Sequence, residues 1–307
     1  MSKLVIVGTC AFDQIETPFG KTDKILGGAA TFIGMSASQF DIDPAIISIV
    51  GEDFPQKYLD QLTSRDINIE GIEVVTGGKT FYWSGKYHND MNTRDTLVTE
   101  LNTLENFNPV VPANYKDAAI VMLGNLQPTV QLSVIEQMTA PKLVILDTMN
   151  FWMDIALDDL KTTLKKVDVI TINDEEARQL SREYSLVAAA RKIHEMGPTY
   201  VVIKKGEHGA LLFHNEEVFF APALPLEEVF DPTGAGDTFA GGFAGYLAKC
   251  NDISFEEMKR ALIYGSCLAS FTVEKFGTER IANVSKEEIK NRLQKFQKLT
   301  QFNIDPN

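Results

Sequence analysis

The feature that most constrains this chain is the alternation of short apolar runs with helical stretches. Leu4-Val5-Ile6-Val7 is wholly apolar and ends at Gly8. It is too short for a helix and lacks the polar alternation of a half-buried strand, so it reads as a strand covered on both faces. Residues 45–50, 118–123, 143–146, 167–172 and 200–203 repeat the pattern. Helical periodicity fills the intervals at 32–39, 129–138, 155–166, 174–181 and 186–196. Strands alternating with helices imply an α/β fold whose mostly parallel sheet carries helices on both faces. Residues 210–213 and 218–220 read as a hairpin, and beyond 234 the chain reads as helices at 235–250, 255–273 and 286–299. No repeat, low-complexity tract or long linker divides the 307 residues, so one domain is expected.

Residues 67–101 break the rhythm. They alternate as strands, turn at Gly77-Gly78 and contain no convincing helix. Phe81, Trp83 and Tyr87 share one face of a strand at period two. An antiparallel piece packed on the main body is the simplest reading.

A formal net charge of −13 argues against nucleic acid or an anionic membrane as the main partner. The charge is spread along the chain, which suits solubility. Cys10, Cys250 and Cys267 are far apart and odd in number, as expected of reduced thiols in a cytoplasmic protein. His88, His194, His208 and His214 are scattered, and no Cys/His cluster has zinc spacing. The run at Leu4 to Val7 is too short for a signal peptide, and no window approaches a membrane span of ~20 residues.

The chemistry concentrates in Asp231-Pro232-Thr233-Gly234-Ala235-Gly236-Asp237-Thr238-Phe239. Pro232 holds the residue before it out of the α region, and Gly234 and Gly236 permit a sharp turn and close approach of another molecule. Helical periodicity starts at Ala235. The glycines therefore lie at a helix N-terminus, whose free N–H groups attract anions such as phosphate. Asp237 falls in the first turn beside that site. An acidic first-turn residue is often only a dipole partner, but the thirteen-residue run ending at Phe243 is too particular for a cap alone. An anion site next to a carboxylate base suits phosphoryl transfer to a hydroxyl.

This run resembles the C-terminal signature of the PfkB (ribokinase-like) carbohydrate kinases. The resemblance implies a ribokinase-like three-layer fold, ATP and Mg²⁺ as cofactors, Asp237 as catalytic base and the Gly234, Ala235 and Gly236 backbone as anion hole. Gly27-Gly28 resembles the family's N-terminal signature at the sugar, although Phe32 stands where the family often has Asn. Asp13, just past the first strand, then matches the carboxylate that binds acceptor hydroxyls, at the sheet edge where open α/β folds take ligands. Asp147, also at a strand end, becomes a second acceptor-side candidate. Asn173 and Glu176 match the family's Asn-x-x-Glu motif, with Glu176 tied to Mg²⁺ through water. Lys204, Gly206 and Gly209 occupy the nucleotide loop, where Lys204 replaces the usual Thr and reads equally as a phosphate partner or a solvated charge. Asp231 and Thr233, with the loop 274–277, resemble a monovalent-cation site, which leaves K⁺ as a candidate.

The resemblance also implies a β lid formed by about 11–20 and 67–101, which excludes water during transfer. Many relatives dimerise through it, and the polar face Thr80, Ser84, Lys86 and His88 leaves a homodimer open. The expected activity is ATP-dependent phosphorylation of a hydroxyl on a small sugar. The rival acceptor is a nucleoside, whose base could stack on Phe81, Trp83 or Tyr87. A catalytically silent sugar or nucleoside sensor is the rival of another class, and the intact Asp237 and glycine turn argue against it. No Walker A motif is present, and Gly234-x-Gly236 lacks the third glycine of a dinucleotide fingerprint.

Overall fold

A computed structural model describes residues 1–250, 252–301 and 303. The strands are β1 (Lys3–Val7), β2 (Ala11–Thr17), β3 (Gly20–Lys21), β4 (Ile25–Gly27), β5 (Asp43–Gly51), β6 (Asn68–Val75), β7 (Tyr82–Tyr87), β8 (Arg94–Glu100), β9 (Ile120–Leu123), β10 (Leu143–Asp147), β11 (Val169–Asn173), β12 (Tyr200–Lys204), β13 (Ala210–His214) and β14 (Glu217–Ala221). The helices are α1 (Ala29–Ala37), α2 (Gln56–Thr63), α3 (Pro128–Gln137), α4 (Asn150–Ile155), α5 (Leu157–Leu164), α6 (Asp174–Ser181), α7 (Leu186–His194), α8 (Ala235–Cys250), α9 (Phe255–Thr272) and α10 (Lys286–Thr300).

Nine strands form the large sheet in the order β14-β13-β12-β11-β10-β9-β1-β5-β6. From β12 to β6 all neighbours are parallel, and β13 and β14 add the expected antiparallel hairpin at one edge. The apolar runs are buried on both faces because two separate cores cover them. Leu4 and Ile6 point to one core with Phe243, Leu262 and Phe271 of α8 and α9, whereas Val5 and Val7 point to the other with Leu160, Ile193 and Val134 of α5, α7 and α3. Chain order reverses at β1, with β5 on one side and β9 on the other. Such a switch point opens a crevice at the carboxyl ends of the strands, the usual ligand position in open α/β sheets.

The smaller sheet has the order β3-β2-β7-β8, with β4 also on β2. The expectation for 67–101 is corrected in part here. β6 leaves the small sheet and pairs in parallel with β5, because α2 supplies the crossover that returns the chain to the large sheet. The sequence shows α2 poorly, since Leu62 is its one buried residue. No helix among the described residues is long and apolar enough to cross a membrane. Cys10 and Cys267 are buried and all three thiols are free.

Candidate active site

The crevice gathers residues from the ends of β10, β11 and β12 and from the starts of α6 and α8. Asp147 ends β10, Asn173 ends β11 and Lys204 ends β12, with Asn173 and Lys204 as direct partners in the parallel ladder. A parallel sheet thus brings together residues that are far apart in sequence.

Gly234 turns the chain into α8 with φ +74°, and a Cβ there would lie 2.5 Å from the ring of Phe32. Any side chain would therefore be both strained and blocked. Phe32 is 1% exposed and wedged under this turn, so the residue that stands where the family often has Asn supports the backbone here. No backbone carbonyl among the described residues accepts from the N–H of Gly236 or Asp237, which leaves donors of the kind expected at a helix start. The Ala235 N–H, expected in the anion hole, instead donates to Pro232 O at 3.2 Å, and the Asp237 N–H bonds its own carboxyl.

Lys204 is the group whose role the sequence leaves evenly divided. Its side chain is 15% exposed and its Nζ lies 3.3 Å from Asp147 Oδ1. The same Nζ sits 3.2 Å from where a Cβ of Gly236 would be. This is an enclosed cation against the glycine turn, not a solvated loop charge. Burial disfavours its charge, but Asp147, Glu176 and Asp237 together outweigh that and hold its pKa above the ordinary value. Asp237 is half-buried in the first turn of α8. Burial pushes its carboxyl up to about 7, with Asp147 adding to the rise and Lys204 and Arg94 opposing it. Burial also raises Asp147, against the pull of Lys204.

Asn173 and Glu176 form a reciprocal cap on α6. Asn173 Oδ1 accepts from the Glu176 N–H, and Glu176 Oε2 accepts from the Asn173 N–H, both at 2.8 Å. Asn173 is thereby occupied as a cap. Glu176 keeps its other oxygen, and burial pushes it up to about 7 despite Lys204. The glycines of the loop after β12 differ from each other. Gly209 has φ +82° and a Cβ there would lie 2.1 Å from Ala221 O, so packing against β14 requires it. Gly206 is exposed in a short turn, where a Cβ would lie 3.1 Å from Asn92 Oδ1.

At the other end, Asp13 on β2 is 6% exposed. A Cβ on Gly27 would lie 1.9 Å from Asp13 Oδ2, and one on Gly28 would lie 2.4 Å from Thr9 O. The glycine pair therefore exists to admit the Asp13 carboxyl and the loop after β1. Burial pushes Asp13 up to about 7; a hydrogen bond from the Gly28 backbone opposes this, and Asp231 and Asp237 reinforce it. Trp83 of β7 pairs directly with Asp13, so both project to one face of the small sheet. The Trp83 ring crosses Gly85, where a Cβ would lie 2.2 Å from it, and Trp83 Nε1 donates to Thr96 Oγ1 at 3.3 Å.

Asp231 is fully buried and both oxygens hold loops: Oδ1 accepts from Thr233 N at 2.9 Å and Oδ2 from Gly277 N at 2.8 Å. The structure thus brings Asp231, Thr233 and the 274–277 loop together. Tyr87 reaches the same junction, accepting from Thr233 Oγ1 at 3.2 Å. Arg94, which the sequence reading passed over, opens β8 opposite Tyr87 and acts electrostatically on Asp237 and Glu176. Its only earlier signal would have been the β7–β8 register. Asn150 turns away to Gln179, and Trp152 donates to Asn125 Oδ1 at 2.9 Å. A cavity of about 240 Å³ at the β5–β6 edge, lined by Ser48, Gly71, Ile72, Phe107 and Val110, contains none of these residues.

Residues 1–284 match the sequence pattern described as pfkB family carbohydrate kinase. This chain belongs to that family. Its members are ATP-dependent phosphotransferases. The chain is 30% identical to a cytidine kinase from Thermococcus kodakarensis over 273 residues, which is 85% of this chain and 96% of that one. It is 27% identical to mouse ribokinase over 297 residues, 90% of each chain. The crystal structure of the Methanocaldococcus jannaschii nucleoside kinase superposes with a TM-score of 0.78 at 21% identity, covering 96% of this chain and 99% of that one. The pfkB membership and the ribokinase-like fold expected from the sequence are thereby both established.

Proposed function

We propose that this pfkB kinase transfers the γ-phosphoryl group of ATP to a primary hydroxyl of a nucleoside. The observation that carries the transfer chemistry is the placement of Asp237 among the N–H groups that open α8, with Lys204 held against the same turn. The N–H groups and Lys204 oppose the charge that gathers on the phosphoryl group. Asp237 takes the proton of the attacking hydroxyl, and its raised pKa makes it a stronger base at the pH where it is still largely ionised. Asp13 accepts hydrogen bonds from the acceptor's other hydroxyls.

ATP carries Mg²⁺, which supplies further positive charge on the phosphates. Among the described residues no group of three or more His, Cys, Asp or Glu is arranged to hold a metal alone, which fits an ion held mainly by nucleotide and water. The unused oxygen of Glu176 suits a water ligand of that ion.

The nucleoside assignment moves away from the small sugar that the sequence favours. Trp83 supports it: a half-exposed aromatic ring beside the hydroxyl-binding carboxylate is a stacking surface for a base. The 30% identity to a cytidine kinase adds weight. A free pentose remains the second reading, because Asp13 and the Gly27-Gly28 turn would bind its hydroxyls equally well. ADP release from ATP–Mg²⁺ should be measured against nucleosides, pentoses, hexoses and phosphorylated sugars. Turnover highest with a nucleoside supports the proposal. Ribose turned over as efficiently as any nucleoside sinks the base-stacking role, and no turnover with any acceptor sinks the kinase.

A further inference from the structure

α10 begins at Lys286, beyond the 1–284 stretch that matches the pfkB pattern, yet its side chains reach the segment that holds the glycine turn. That segment is 272–277, at the end of α9. Val273 O accepts from Phe230 N at 2.8 Å and from Asp231 N at 3.4 Å. Gly277 N donates to Asp231 Oδ2. Thr272 Oγ1 lies 2.9 Å from the Oγ1 of Thr238, the residue after Asp237, and both threonines are fully buried. One segment therefore grips the 231–238 run at both of its ends.

Glu274, inside that segment, is held by two arginines. Its Oε1 accepts from Arg292 Nη2 at 2.6 Å and its Oε2 from Arg280 Nε at 2.9 Å. Arg292 comes from the middle of α10, and its side chain is 12% exposed. Its Nη1 donates to Ser270 Oγ at 3.1 Å, and its guanidinium carbon lies 3.4 Å from the centroid of the Phe271 ring. Arg280 lies 4.9 Å from the same ring and donates from Nη2 to Glu288 Oε1 at 2.6 Å. The other Glu288 oxygen accepts from Ser285 N at the start of α10. Two carboxylates and two guanidinium groups thus close a neutral network around one buried ring. An isolated surface ion pair contributes little, but a forked guanidinium stacked on a ring fixes direction as well as distance. On its other flank the segment meets the small sheet, since a Cβ on Gly277 would lie 2.6 Å from Ile25 Cδ1 of β4.

We propose that Glu274, clamped by Arg280 and Arg292, is a positioning residue for phosphoryl transfer: α10 fixes segment 272–277, and that segment sets the place of the glycine turn and of Asp237. This rests on the kinase reading above. No bond of the reaction is made or broken at Glu274, and no proton passes through the network. Its contribution is geometric, because a shift of about 1 Å at a reacting group can cost 10²-fold in rate even when its cause is remote.

The test uses the full chain with Arg292→Met, Glu274→Gln, the two combined, and Arg292→Lys. Values of kcat and KM for the best acceptor are read beside the melting temperature. The melting shifts given by ADP–Mg²⁺ alone and by ADP–Mg²⁺ with aluminium fluoride and acceptor are read as well. Each of the first two variants should lower kcat by about 10²-fold with acceptor KM nearly unchanged. Each should lose most of the extra aluminium fluoride shift while keeping the shift from ADP alone. The combined variant should be no worse than the worse single one, because both remove the same contact. Arg292→Lys should recover part of kcat, since it keeps a charge at Glu274 and loses the fork. Glu274→Gln is isosteric and decides the matter if Arg292→Met does not fold. A lowered melting temperature with unchanged kcat would make the network a purely structural one and overturns the proposal alone. So does a raised acceptor KM at unchanged kcat, or losses that simply add in the combined variant. Wild-type protein that ADP stabilises but that turns over no acceptor overturns the kinase reading, and this proposal with it.

Discussion

The two sheets differ in material and in consequence. Every residue of β10 is buried, and the large sheet lies between two apolar cores. β8 of the small sheet is exposed along its whole length and carries Leu97 and Val98 at the surface. The large sheet contributes Asp147, Lys204, Asn173 and, through α6 and α8, Glu176 and Asp237. Close packing holds such groups in place, which phosphoryl transfer requires. The small sheet contributes Asp13 and Trp83, and a thin, solvated sheet can shift to admit different acceptors. On the proposed reading, the chemistry belongs to the large sheet and the choice of acceptor to the small one.

The comparison is broken most directly at Asp237. Asp237→Asn should lower kcat by about 10²–10⁴-fold for every acceptor alike, measured by ADP release. A loss confined to one acceptor would place Asp237 in recognition. Lys204→Met should cost about 3–5 kcal/mol of stability, because it strands the Asp147 charge in an enclosed site. Urea unfolding reads this, and adding Asp147→Asn should restore part of it. No recovery would show that Lys204 stabilises by packing. On the small sheet, Trp83→Ala should weaken nucleoside binding by about 1–3 kcal/mol, seen as a raised KM, while any ribose turnover stays level. An equal effect on ribose would make Trp83 a structural residue of the sheet.

A smaller effect concerns pH. The folded pKa of Asp13, about 7, lies above the ordinary carboxyl value of 3.8. Between those values the folded chain holds a proton that the unfolded chain has released. The associated stability is full below the ordinary value and is lost as pH rises through about 7. Melting temperature should therefore fall more steeply from about pH 5 to about pH 8 in the wild type than in Asp13→Asn. Parallel slopes would show that Asp13 is ionised throughout. The smallest effect is expected from exchanging Na⁺ for K⁺ during turnover, because backbone N–H groups of Thr233 and Gly277 already engage both oxygens of Asp231. A strong K⁺ requirement would make that junction the monovalent-cation site implied by the resemblance.

Much of the large sheet was legible because its strands are continuous apolar runs, and burial on both faces permits little else. The 231–243 run was legible because glycine, proline and a first-turn carboxylate each leave a local backbone signature. α2 was not, since a surface helix with one buried residue has almost no periodicity to read. With α2 unseen, β6 looked continuous with β7 and β8.

By itself, the sequence determined the fold class and the helix start that brings N–H groups and Asp237 together, because those follow from local backbone rules, and the 231–243 run carried the resemblance to the pfkB family. Only the tertiary structure decided that Lys204 faces Asp147 across parallel strands, that Phe32 supports Gly234, that Trp83 stands beside Asp13, and that Tyr87 reaches Thr233. Each of those pairs is set by strand register or by packing between distant elements, and neither quantity is carried by any short stretch of residues.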